Sequence, residues 1–150
     1  MSVDIKIEGT KELQRAMAFA SVEAEKRVRK VVLKTGNALR KDVIRRVQKG
    51  PASGRTYKSK NPKRTHTASA PGEAPATDQG GLVESIYFNE VGPMTATVGS
   101  TAIYAAALEF GHSYGKGRVI EPRPYFTPAV EAMRETYMKD LEAALSETFK

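Results

Sequence analysis

The chain contains no cysteine and no tryptophan, and histidine occurs twice in its 150 residues. Without cysteine there is no disulfide framework, no thiolate metal site and no cysteine nucleophile. That usage fits a protein made and used in a reducing cytoplasm. Without tryptophan the core must rest on Leu, Val, Ile, Met, Tyr and Phe, and aromatics amount to only 7% of the residues. No apolar run approaches the ~20 residues that cross a bilayer, so no membrane partner is expected. The opening stretch, residues 1–13, lacks the apolar core of a secretory signal. No cofactor is signalled either. There is no P-loop, no G-x-G-x-x-G and no G-x-S-x-G, and Gly115-Lys116-Gly117 is too short to cradle a phosphate. The length suits one domain.

One sign of charge is also scarce, but only locally. Residues 26–64 hold fifteen Lys and Arg against a single acid, Asp42, a net +14. The other residues hold nine bases and sixteen acids, a net −7. A solvated helix face normally interleaves Glu with Lys at i,i+4, whereas here like charges repel one another. Something outside the segment is expected to compensate. Two candidates are nucleic acid and the acidic surface of a neighbouring copy, the latter closing head-to-tail into a ring. Arg40, Arg45, Arg46, Lys49, Arg55, Lys58, Lys60, Lys63 and Arg64 are the candidate contacts. Tyr57 is the one aromatic in residues 50–80, which disfavours a single-strand binder that stacks successive bases.

Along the chain, Val3, Ile5 and Ile7 alternate with charged residues, the period of a half-buried strand ended by Gly9. Thr10 is the expected cap of a long helix over 11–48. Leu13, Met17, Ala20, Ala24, Val28, Val31, Val32, Thr35, Leu39, Val43 and Val47 form its apolar stripe. Gly36 interrupts that helix and costs about 1 kcal/mol relative to Ala, so it marks a kink or a close contact with another backbone. A helix this long must project beyond its own core and is expected to seek a neighbour. Residues 50–80 are rich in Gly, Pro, Ser, Thr and Lys, and read as a long, flexible basic loop. A short helical turn at 80–85 then leads into two strands, around Ile86–Phe88 and Ala96–Val98, joined at Gly92-Pro93. Residues 102–110 are helical in composition and Gly111 stops them. Residues 118–123 read as extended, and Thr127-Pro128 starts a final helix. Val130, Met133, Tyr137, Leu141, Ala144 and Leu145 share one face of it. The expected class is α+β: a small antiparallel sheet packed by a long N-terminal helix and a C-terminal helix.

Chemistry is weakly signalled. His66 lies in the basic segment and His112 follows Gly111, with no carboxylate at metal-ligand spacing. A ribonuclease-like use of the two histidines with Lys and Arg, and a plain DNA-binding module, stand as alternatives to a structural role. A non-enzymatic protein with no catalytic, cofactor or metal residues is the favoured expectation.

Three segments carry a resemblance. Gly80/Gly81-Leu82 with Ser85-Ile86 matches G-x-L-x-x-S-I, and Tyr104-Ala105 leading to Glu109-Phe110-Gly111 matches Y-A-x-x-x-E-F-G. Arg123-Pro124 with Phe126 and Pro128-Ala129 matches R-P-F-x-x-P-A with an extra Tyr125, and His112 departs from the usual Thr. In this order they resemble the phage tail-component family of long-tailed bacteriophages and prophages. The resemblance implies a neck or tail-completion protein, tail terminators included, made in the host cytoplasm and resident in the virion. It implies a ring, commonly six-fold, meeting a head-closure or connector protein and the tail tube protein, with genomic DNA in the lumen. It further implies that Tyr104, Glu109, Phe110, Arg123, Pro124 and Phe126 fix the last helix and the corner before it. Glu109 and Arg123 are expected to form a buried charge pair there.

Overall fold

The computed structural model describes residues 10–148. The expected strand at residues 3–9 lies outside the described residues. The expected α+β class holds, built as helices against short antiparallel hairpins.

Helix α1 spans Thr10–Lys49, forty residues, which is about 60 Å at 1.5 Å per residue. Thr10 is the first described residue of this helix. The apolar stripe is buried only in the C-terminal half, where Val43 and Val47 are 0% and 1% exposed. Further back, Met17, Phe19 and Val22 are exposed. The helix therefore overruns its core, as its length required.

A hairpin follows that the sequence did not announce. Strands β1 (Thr56–Lys60) and β2 (Lys63–Thr67) pair antiparallel inside the stretch read as loop. Gly54 and Ala68 extend the ladder, Gly54 N donating to Ala68 O at 2.8 Å and Ala68 N to Arg55 O at 3.0 Å. A side chain at Gly54 would place its Cβ 2.5 Å from Ser69 O, so only glycine fits this close approach. The short helix α2 (Gly81–Glu84) leads into β3 (Ile86–Gly92) and β4 (Thr95–Ser100), with a bulge between Glu90 and Gly92. Helix α3 (Ala105–Phe110) comes next, followed by the two-residue strands β5 (His112–Ser113) and β6 (Val119–Ile120). Helix α4 (Thr127–Ser146) completes the described chain.

α4 runs antiparallel to α1. Lys34 meets Asp140 at 2.8 Å, and Arg27, earlier in α1, meets Glu147, later in α4. Arg29 reaches across to Glu90 on β3 at 2.7 Å. These exposed pairs orient the elements more than they stabilise them, at about 0–1 kcal/mol each. Stabilisation comes from a compact apolar cluster of Val43, Val47, Leu82, Ile86, Tyr125 and Ala129. Full burial of each large member is worth about 1.5–3 kcal/mol.

Gly36 proves to be a contact site. A Cβ there would stand 2.4 Å from Phe88 Cε2, so the ring of β3 lies directly on the helix backbone. The neighbour is a side chain rather than the backbone that the sequence suggested. Gly36→Ala gains helix propensity but forces the rigid ring to move, and overpacking of this kind costs about 1–3 kcal/mol. The variant is expected to lower the urea midpoint, and adding Phe88→Leu should recover most of the loss. Unchanged stability of Gly36→Ala would refute the contact.

Candidate functional site

The three motif segments meet at one corner. Leu82 and Ile86 of the first and Tyr125 and Ala129 of the last are all in the buried cluster, with Ala105 and Leu108 of the middle segment packed on it. Ser85 ties the first segment down, its hydroxyl donating to Leu82 O at 2.7 Å and meeting Ser100 Oγ at 2.7 Å.

Glu109 closes the corner. Helix α3 delivers its side chain into the protein, where it is 6% exposed. Oε2 accepts from Tyr125 N at 2.8 Å and Phe126 N at 2.9 Å, and Oε1 accepts from Thr127 N at 2.8 Å. These are the orphan donors at the start of α4, the positive end of its dipole, and no side chain of α4 itself caps them. Burial acts to raise the Glu109 carboxyl. The Thr127 side chain and the three backbone N–H groups outweigh it and hold the pKa below the ordinary carboxylate value.

Arg123 is therefore not the partner of Glu109, and the expected buried charge pair is replaced by a helix cap. The Arg123 guanidinium instead donates to Ser69 O and Glu121 O, both at 3.3 Å, while its backbone N donates to Leu108 O at 2.6 Å. It thus binds the corner to the end of the β1–β2 hairpin. Tyr125 is 0% exposed and is the anchor of the turn, tilted against half-buried Phe126 with ring centroids 5.0 Å apart. Burial, then the Glu109 charge and Tyr104, push its phenol up to about 12. Its Oη has no hydrogen-bond partner among the described residues. Pro124 is half-buried beside it. Tyr104 and Phe110 are 45% and 74% exposed, so the expected packing role does not hold for them. Gly111 leaves α3 at φ 76°, ψ 165°, a region reserved for glycine, and a Cβ there would crowd Ile120 O at 2.9 Å.

The basic residues divide into two groups. Asp42 is 8% exposed and pairs with Arg45 and with Arg46 at 2.8 Å. Burial opposes its charge, but those two guanidinium groups hold its carboxyl below the usual range. Arg40 donates to Ile86 O at 3.0 Å, a structural link to β3. Arg64 meets Asp78 at 2.9 Å, and His66 Nδ1 stands 3.9 Å from the same carboxylate. Arg55 lies 5.5 Å over the Tyr57 ring. By contrast Lys49, Lys58, Lys60 and Lys63 are exposed, with no acidic partner within 4.0 Å among the described residues. The hairpin base is held by Glu73, which accepts from Ala70 N at 2.8 Å and from the Ser53 hydroxyl.

The two histidines sit on different hairpins, His66 beside Asp78 and His112 edge-on to Tyr114 at 4.6 Å. Among the described residues no three His, Asp or Glu side chains gather as a metal site. No described helix is long and apolar enough to cross a membrane.

The model of the phage virion morphogenesis family matches residues 9–138, most of the chain. The chain belongs to this family. No curated protein and no solved structure matches it. Membership makes it a bacteriophage protein with a structural or assembly role in the virion. The three motif segments lie within the matched region, and in the fold they meet at the corner. Glu109 is visible in the sequence as a motif position, and Tyr125 with Phe126 reads there as the anchor of the turn in the core; Tyr125 is 0% exposed and Phe126 is half-buried. The N-terminal donors of α4, which Glu109 serves, carry no side-chain signature at all.

The cap has a pH signature. A carboxyl with a depressed folded pKa contributes its full stabilisation above the unfolded value of 4.5, and loses it as pH falls through the folded pKa. Glu109→Ala is expected to cost about 2–4 kcal/mol at pH 7. Glu109→Gln should flatten the loss of stability below pH ~4.5 relative to wild type. Parallel acid-unfolding curves for wild type and Glu109→Gln would contradict the cap. Tyr125→Phe, which removes only an unpaired hydroxyl, should change stability by less than about 1 kcal/mol in urea melts, and a larger loss would reveal a partner for that hydroxyl.

Proposed function

We propose that the chain is a neck or tail-completion component of the virion. It assembles as a closed ring, six-fold as the family resemblance implies, and joins the tail tube to the head connector around the DNA channel. The observation that carries this reading is the apolar surface left uncovered on the protomer. Ile103 is 100% exposed and Phe110 74%, both beside the motif corner, and Phe19 is 70% exposed on the overrunning end of α1. Large exposed apolar side chains rimmed by polar ones mark surfaces that meet other proteins. A ring gives each copy two neighbours, so a projecting helix and an exposed corner can both be covered by heterologous contacts. The polarised charge of the chain supports such a contact, with a basic segment of +14 against a remainder of −7.

The experiment is complementation of phage lacking this chain. Without it, cells are expected to accumulate full heads and separate tails. Wild-type chain should restore joined particles, whereas Ile103→Asp with Phe110→Asp should fail to do so while folding normally by circular dichroism. Joined infectious particles in the absence of the chain, or full rescue by the double variant, would overturn the reading.

A further inference from the structure

The outer face of the β1–β2 hairpin is chemically unlike the rest of the surface. Its register pairs Thr56 with Thr67, Lys58 with Thr65 and Lys60 with Lys63. Alternation along the strands therefore places Lys58, Lys60 and Lys63 on one face with threonines only. All three lysines are exposed, while Ser59, Arg64 and His66 on the opposite face are half-buried toward the body. Asp78 neutralises that inner face through Arg64. Nothing comparable neutralises the outer one: no acid lies within 4.0 Å of its lysines among the described residues.

Lys60 and Lys63 stand directly opposite each other, an arrangement that destabilises an isolated ribbon. The face has no apolar side chain with which to seal a protein interface. Its recurring chemistry is the ammonium group with neighbouring hydroxyls, which suits phosphate oxygens and reads no base sequence. Lys58 and Lys60 are two residues apart on one strand, roughly 6.8 Å, about the axial rise of two phosphates along a DNA strand. A two-stranded ribbon also has the width to approach a duplex.

We propose that the face bearing Lys58, Lys60 and Lys63 contacts the phosphate backbone of duplex DNA without sequence preference. This deepens the junction reading, on which it rests for the source of the DNA. The binding itself is read on the isolated full chain, so its failure leaves the complementation result untouched.

The test measures affinity for a mixed-sequence duplex of about 30 bp against salt concentration, for wild type and for Lys58→Gln/Lys60→Gln/Lys63→Gln. Each phosphate contact contributes a slope of about −0.9 in log K against log salt, so the triple variant should lose roughly two to three slope units. Its thermal midpoint should stay equal or rise, because a like-charge pair is relieved. Absence of salt-dependent binding by wild type, or an unchanged slope in the variant, would overturn the proposal. So would a variant that keeps its DNA affinity but loses concentration-dependent self-association, which would assign the face to the acidic surface of a second copy.

Discussion

Three backbone N–H groups at the start of α4 have no partner of their own, and the Glu109 carboxylate accepts from all of them. The position of the other parts follows from that contact. It holds the end of α3 against the beginning of α4 and so fixes the turn that carries Arg123, Pro124 and Tyr125. Tyr125 is thereby driven into the cluster formed with Val43, Val47, Leu82 and Ile86. Arg123, on the same turn, reaches back to Ser69 and sets the base of the β1–β2 hairpin. The main-chain donors at the start of α4 occupy both oxygens of this buried carboxylate, so its role in the fold is that of a cap. The three motif segments meet at this corner.

Much of the fold was legible because it is periodic. The three- and four-residue steps of α1 and α4 located both helices, and the overrun of α1 followed from its length alone. Gly36 was legible as a special position, although the ring that fills it belongs to Phe88, on strand β3. The β1–β2 hairpin was not legible. One face carries Thr and Lys and the other Tyr57, Ser59, Arg64 and His66, so no apolar alternation betrays the strands, and the signals present were the threonines and the Asn61-Pro62 turn. The partner of Glu109 was misassigned for a related reason. Charge logic offers Arg123, whereas the real partner is a helix terminus, a group that every helix has and no side chain announces. Tyr104 and Phe110 were placed in the packing by the family resemblance, but Tyr104 stands just before α3 and Phe110 ends it, and both side chains face outward, 45% and 74% exposed.

The charge asymmetry also changes meaning once the fold is known. Much of the compensation expected from outside comes from the chain itself. Glu90, Asp140 and Glu147 reach Arg29, Lys34 and Arg27 of α1, and Asp78 reaches Arg64. Asp42 serves Arg45 and Arg46 from within the segment. The cations that stay unserved include the outer face of the hairpin and Lys49 at the end of α1. Ion pairs within the chain thus take up seven cations of the +14 segment, Lys26, Arg27, Arg29, Lys34, Arg45, Arg46 and Arg64, and the hairpin lysines are among those left.

The most direct measurement is a reconstruction of the assembled particle at side-chain detail around the head–tail junction. The account predicts this chain there as a closed ring. Ile103 and Phe110 of each copy should be covered by a neighbour, and the Lys58, Lys60 and Lys63 face should be turned to the lumen. A particle in which the chain is absent from the junction, or in which that corner stays open to solvent, would contradict it.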